Sequence, residues 1–458
     1  MMTILIDRFM LFSLLLVMAL APLPLGSNRP ASWSLMALVV GGLIIAWGLL
    51  ASVRPTLFRL QGRDAVWPAL LWGLVIAWLL FQASGPQFLW HPFWDLAAGL
   101  GEPTRGAISV APFDTGSTAM RMMAYGGIFW LAVQTGRDSD NAQALSLGVL
   151  LVGLFYALYG LANEMLGTDS ILWFEKWAYL DALTSTFVNR NSFATFAGLS
   201  MVTGLGMALR MLRRDEAEPV IRTRRTDLSR VGAGLILVAV AIIGVALILT
   251  HSRAGLVATG VGMATLVVAH LWRWRRIPGW GMVAGGVVLA ASVLLFAAGT
   301  GTFERKVDKA EAGELGGRTW LFQRTISAIA DEPLTGHGAG AFESYFQRYK
   351  NADFGGVYSI SKAHNSYLEF AADAGIPALI VVVVVIGGIA LTSLAGMRRR
   401  KQDASYPAIG FAATALVALH SLVDFSLQIP AVAIMYATIL GIGYAQAFPT
   451  GGGRHNRL

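Results

Sequence analysis

The 458-residue chain contains no cysteine, which excludes disulfides and cysteine metal sites. Charge is scarce as well: Asp, Glu, Lys and Arg make up 14% of the residues. A soluble globular protein carries about 25%, so this chain has too few charges to cover a water-facing surface. It has no GK[ST] phosphate loop, which leaves ATP hydrolysis unsupported. No sequence repeat is evident, and the only low-complexity tract is the tail Gly451-Gly452-Gly453.

What the chain has in quantity is apolar sequence, 55% of the total, arranged in long blocks. The run Val231 to Thr250 carries no charge and is long enough to cross a bilayer core of ~30 Å. Windows of about 19 residues predict twelve spans, near 9–26, 33–52, 66–84, 117–136, 143–162, 192–212, 231–250, 253–271, 279–299, 365–394, 406–426 and 430–448. The first carries Arg8 and an Ala19-Leu20-Ala21 triplet that suits a cleaved signal peptide. Pro22 directly follows the triplet and the chain stays apolar, so we read a retained helix.

The basic residues divide unevenly between the connecting segments. With both termini cytoplasmic, 21 of the 35 fall inside against nine acids, and 13 fall outside against 18 acids, with Arg121 in a span. Such an excess is the positive-inside signature, and it accounts for the net charge of +8 without nucleic acid. The expectation is an all-α polytopic membrane protein: spans one to nine over 1–299, an outward helical loop over 300–364, spans ten to twelve over 365–448 and a cytoplasmic tail over 449–458. In the loop, Gly317 to Asp331 and Ala341 to Lys350 read as helices, separated by the breakers Glu332 to Gly338.

Ionisable groups at outward span ends cost free energy unless paired or solvated. Arg190 sits where span six begins, Arg253 in the tight turn after span seven, Arg318 at the start of the loop's first helix and His364 where span ten begins. Guanidinium groups grip phosphate oxygens in a bidentate fork, and a neutral imidazole can take a proton from a hydroxyl. Each alone is equally compatible with snorkelling to lipid phosphate or with a capping role. His337, between two glycines, suits a turn. His420 and Asp424, four apart, would share a helix face and pair. Arg121 calls for an internal carboxylate or a lipid head group. Asp138-Ser139-Asp140 reads as capping.

Taken together, these residues resemble the O-antigen ligase and polymerase superfamily of membrane glycosyltransferases. The resemblance starts at Pro22-Leu23-Pro24-Leu25-Gly26-Ser27-Asn28-Arg29-Pro30 and continues through Phe187-Val188-Asn189-Arg190-Asn191 and Ser252-Arg253-Ala254-Gly255. It extends over Gly317-Arg318-Thr319-Trp320, Pro333-Leu334-Thr335-Gly336-His337-Gly338 and His364-Asn365-Ser366-Tyr367. The ligase pattern of His, then Asn, Ser or Gln, nine intervening residues and a Gly is met by His364, Asn365 and Gly375, whereas Ala378 stands near the place of an expected Thr.

The resemblance implies a GT-C-like arrangement in a bacterial inner membrane with a periplasmic site. A glycan on undecaprenyl pyrophosphate would pass to an acceptor hydroxyl, on lipid A–core or another lipid-linked glycan, without metal, nucleotide or other cofactor. Arg190 and Arg253 would hold the pyrophosphate and His364 would activate the acceptor. Arg318, Asn191, Asn365 and Tyr367 would position the substrates, with His337 and Asp424 as further candidates. Two other readings remain open: a polymerase of the same superfamily, and a two-half transporter with twelve spans. Against the transporter, the halves show no evident similarity and the longest hydrophilic insert follows span nine.

Overall fold

In a computed structural model, residues 2–101, 106–216, 224–273, 319–350, 360–400 and 403–449 are described. The expected ninth span at 279–299, Arg318 and the glycine tail lie outside them. The described apolar blocks all form helices, because only intra-segment hydrogen bonding satisfies a backbone in lipid without a closed barrel. They are α1 (Met2–Leu20), α2 (Pro30–Val53), α3 (Arg63–Gln82), α4 (Phe93–Gly99), α5 (Pro112–Thr135), α6 (Ser139–Leu166), α7 (Arg190–Glu216), α8 (Arg224–Leu249) and α9 (Arg253–Arg273). There follow α10 over 319–331, α11 (Phe342–Phe346), α12 (Ser366–Ala374), α13 (Ile376–Arg399), α14 (Ser405–His420) and α15 (Pro430–Ala445). One two-stranded antiparallel hairpin, β1 (Ser170–Ile171) and β2 (Phe174–Glu175), lies between α6 and α7. The helix ends follow local chemistry. Pro30, Pro112 and Pro430 open helices where no N–H is needed, and Asp138 caps α6 through the amides of Asp140 and Asn141.

Among the described residues, α2, α3, α6, α7, α8, α9 and α13 are long and apolar enough to cross a membrane, with α14 and α15 shorter but apolar. Their ends sort into two layers. One holds the Asp7–Arg59 pair, Gln134 against the amide of Arg59, Arg137 against the carbonyls of Ala445 and Phe448, and Arg210 against Asp403. The opposite layer holds Gly26 against Phe187, the Leu183 amide on the Leu249 carbonyl, Asn191 against Ser252 and Ser366 against Ser421. Successive helices therefore alternate direction, and every expected site residue that is described lies in the second layer.

Helix α15 is buried along its whole length and α7 nearly so, while α2 and α8 turn Leu38, Ile45, Leu235 and Val238 outward. Lipid tails are as apolar as leucine, so the inner helices gain from close approach instead. At Gly410 an added Cβ would stand 3.1 Å from Gly443 Cα, so only glycine lets α14 and α15 meet there.

Two expectations change. The stretch 365–394 is not one helix: it breaks at Gly375, φ +84°, where any Cβ would collide with the Leu334 carbonyl. And α14 ends at His420, so Asp424 lies beyond a turn rather than on a shared helix face.

Helix α12 consequently belongs to a cap over the second layer. Fully buried Gln82, at the end of α3, ties this cap together. It donates to the carbonyls of Thr335 and Asp373 (both 2.7 Å) and accepts from the Ala339 amide (3.0 Å).

Candidate active site

Arg190 and Arg253 are the first residues of α7 and α9. The two helix starts are joined directly, because Ser252 Oγ donates to Asn191 Oδ1 (2.7 Å) and also receives the Gly255 amide (3.2 Å) as the cap of α9. Gly255 lets α9 close on Ala194, where a larger residue would meet that methyl group at 2.5 Å. Both guanidinium groups therefore start from one patch, which also receives the positive ends of two helices. The Arg190 guanidinium lies 5.3 Å over the Tyr179 ring, and its buried Nε has no hydrogen-bond partner.

One turn into α7, Thr195 Oγ1 lies 3.1 Å from both His420 Nδ1 and Ser426 Oγ. These two side chains flank Asp424, which is fully buried and receives the Phe425 amide on Oδ1 (2.8 Å). His364 Nδ1 stands 3.7 Å from the same Oδ1. That is longer than a hydrogen bond yet close enough for the carboxylate to orient the ring. Burial alone would push the Asp424 carboxyl up, but the His364 and His420 rings and the Phe425 amide together hold it below the usual carboxylate range. Its Oδ2 is buried with no partner.

His364 is the most open member, 30% exposed, with its ring edge-on to Phe425 at 5.1 Å between centroids. Its φ of +52° is uncommon for a residue with a side chain, and neighbours enforce it. Buried Glu369 accepts the Ala363 amide (2.7 Å) and also pairs with Lys362 (3.2 Å) and Gln428 (2.9 Å). Asn365 caps α12 through the amides of Tyr367 and Leu368. Ser366 donates to the Asp424 carbonyl (2.8 Å), and Tyr367 donates to that of Ala418 (3.0 Å).

Of the residues expected from the sequence, Arg190, Asn191, Arg253, His364, Asn365 and Asp424 thus fall in one region, linked by hydrogen bonds from Ser252 to His420 and by charge from His420 through Asp424 to His364. Arg318 lies outside the described residues. The Asn365 side-chain oxygen serves the backbone. Tyr367 faces a neighbouring cavity. His337 is elsewhere: its amide binds the Ala372 carbonyl, near the far end of α12 and roughly 10 Å along it from His364. It is buried, donates from Nε2 to the Ala328 carbonyl (2.9 Å) and accepts on Nδ1 from His91 Nε2 (2.9 Å), while His91 Nδ1 accepts the Phe93 amide (3.1 Å). Each ring nitrogen has one partner only when both rings are neutral. Burial and the facing His337 ring accordingly lower His91 to about 4.

Sequence reading did not reach Thr195, Ser426 and Glu369. Thr195 was open to detection as the i+4 neighbour of Asn191 on α7; Ser426 and Glu369 carry no such signal. Among the described residues no group of three or more His, Asp or Glu side chains is placed to hold a metal ion. Residues 238–383, from within α8 through His364 to the first turns of α13, match the family described as O-antigen ligase. No curated protein matches the chain.

Proposed function

We propose, on the support of the match of residues 238–383 to the family described as O-antigen ligase, that the chain is a member of the O-antigen ligase and polymerase superfamily and transfers a glycan from a polyprenyl pyrophosphate to an acceptor hydroxyl. The outer face of a bacterial inner membrane is the proposed setting. The observation that carries this reading is the path from Ser252 through Asn191, Thr195, His420 and Asp424 to His364. It sets two arginine-headed helices beside a histidine backed by a buried carboxylate.

In the reaction, His364 takes the proton of the acceptor hydroxyl as that oxygen attacks the anomeric carbon. Asp424 stabilises the imidazolium that results. The bond from the anomeric carbon to the pyrophosphate oxygen breaks, and its electron pair leaves with the lipid pyrophosphate. Arg190 and Arg253 receive the negative charge, assisted by the helix starts they occupy. A single displacement inverts the anomeric centre. Lipid A–core is the acceptor in a ligase and a second lipid-linked glycan in a polymerase. The ligase reading is favoured by the spacing of His364, Asn365 and Gly375.

His364→Ala tests the assignment. Loss of a general base costs about 10²- to 10⁴-fold in rate. The variant should insert into the membrane in normal amounts and lose transfer by that factor with purified protein in detergent; full transfer would refute the base.

A further inference from the structure

Next to His364, on the side away from α7 and α9, lies a cavity of about 600 Å³ open to the flank of the bundle. Its walls are membrane helices α3, α5, α13, α14 and α15, and its upper rim is Lys362, Ser366, Tyr367, Glu369 and Asp373. Neither Arg190 nor Arg253 lines it. The lining is mainly apolar, which suits a hydrocarbon chain.

One feature does not suit an empty apolar cleft. Arg121 lies within α5, three turns from its outer end, and lines this cavity. A guanidinium at such a position is costly and normally finds a carboxylate. Here, among the described residues, it meets Thr118 Oγ1 (2.9 Å) and the face of Trp33 (4.7 Å) but no carboxylate, and its buried Nε has no hydrogen bond. Tyr125, one turn further along the same face, presents a buried hydroxyl that also lacks a partner. An unpaired buried polar group costs ~1–3 kcal/mol, and a charged one more; with both residues lining the cavity, an anion seated there would offset the Arg121 charge. Of the other charged groups on the rim, Lys362 and Glu369 neutralise each other. Burial and the neighbouring Glu369 push the Asp373 carboxyl up, and its two oxygens accept the Gly340 amide and the Tyr345 hydroxyl. Among the described lining residues, Arg121 is thus the cation without a carboxylate partner.

We propose that this cavity seats the lipid anchor of the acceptor, with its phosphate on Arg121 and Tyr125 and its chain along α3, α5 and α13. The assignment to the acceptor rests on the transferase reading above; the phosphate-lipid site does not. A donor held at Arg190 and Arg253 and an acceptor held at Arg121 then come from separate sites, and a single displacement needs the acceptor oxygen to reach the anomeric carbon on the face opposite the departing pyrophosphate.

The test uses the full chain in detergent and reads lipid retention by native mass spectrometry. The probes are a phosphatidic acid, the diacylglycerol with the same chains, and inorganic phosphate as competitor. The phosphatidic acid should be retained at least tenfold over diacylglycerol, and inorganic phosphate should not displace it. Arg121→Gln should lower retention about tenfold or more, the loss of one charged contact. Arg121→Lys should recover part of it, and Arg190→Gln should leave it unchanged. Equal retention by Arg121→Gln, displacement by inorganic phosphate, or parallel loss in Arg190→Gln would each overturn the site. In the transfer assay, Arg121→Gln should raise KM for the acceptor and leave KM for the donor in place; a rise confined to the donor would overturn the acceptor assignment even with retention lost.

Discussion

The two ends of the bundle treat their arginines differently. At the basic end, where α5 and α7 finish, Arg210 makes two bonds to Asp403 and one to Gln143, and Arg137 makes three to backbone carbonyls. At the other end, Arg190 and Arg121 keep a buried Nε without a partner. Arg59, at the basic end, also leaves one buried nitrogen without a bond, but its charge is paired with Asp7. Among the described residues neither Arg190 nor Arg121 has a carboxylate partner, so equal residue types differ in meaning: a guanidinium paired within the protein holds helices together, and one left unpaired keeps its charge for a ligand.

That contrast can be broken by paired substitutions. Arg190→Gln should lower transfer about 10²- to 10³-fold, as removal of a donor to a developing anion does, with thermal stability nearly unchanged. Arg210→Gln should do the reverse. Losing one partner of a buried pair costs ~3–5 kcal/mol of stability, read as a lower melting temperature, while the folded fraction keeps its activity. Similar effects of both changes would erase the distinction.

A pH titration separates the cap from the site. In the folded protein His91 has a pKa of about 4, below its ordinary 6.5. The unfolded chain therefore binds more protons across that window, so stability is complete above about pH 6.5 and falls as pH drops toward 4. The full loss is about 3 kcal/mol. His91→Gln should flatten this slope in thermal melts; an unchanged slope would assign it to other groups. The smallest effect is expected from Asp424→Asn, which keeps the shape and removes the charge facing His364. Transfer should fall about 10- to 100-fold, the equivalent of one charged contact, with His364→Ala adding little beyond its own effect in the double variant.

The apolar blocks made the helices legible, because a bilayer permits few other structures, and the distribution of basic residues separated the two ends. The positions of Arg190, Arg253 and His364 at helix starts were readable from the same boundaries. What joins them was not. Thr195 and Ser426 look like ordinary small residues of a span, and only packing brings them to His420. The break at Gly375 was hidden because apolar residues continue on both sides of it, and hydropathy does not register a backbone angle. The shared helix face expected for His420 and Asp424 failed for a related reason, because the helix ends at His420; the two side chains nevertheless interact across the turn. For Arg121, charge alone gave the alternatives of a carboxylate and a lipid head group, and among the described residues there is no carboxylate partner.

The Gly375 joint has a mechanical consequence. On one side of it stands the short helix α12, which starts two residues after His364; on the other, the apolar helix α13, long enough to cross a bilayer. The joint leaves no space for even a methyl group against the Leu334 carbonyl, and Gln82 clamps the residue pair beside it to a third helix. A corner built so tightly does not swing. The angle between the two helices is thus fixed by the backbone itself, and a bulkier residue at this one position would have to pry the cap away from the membrane helices.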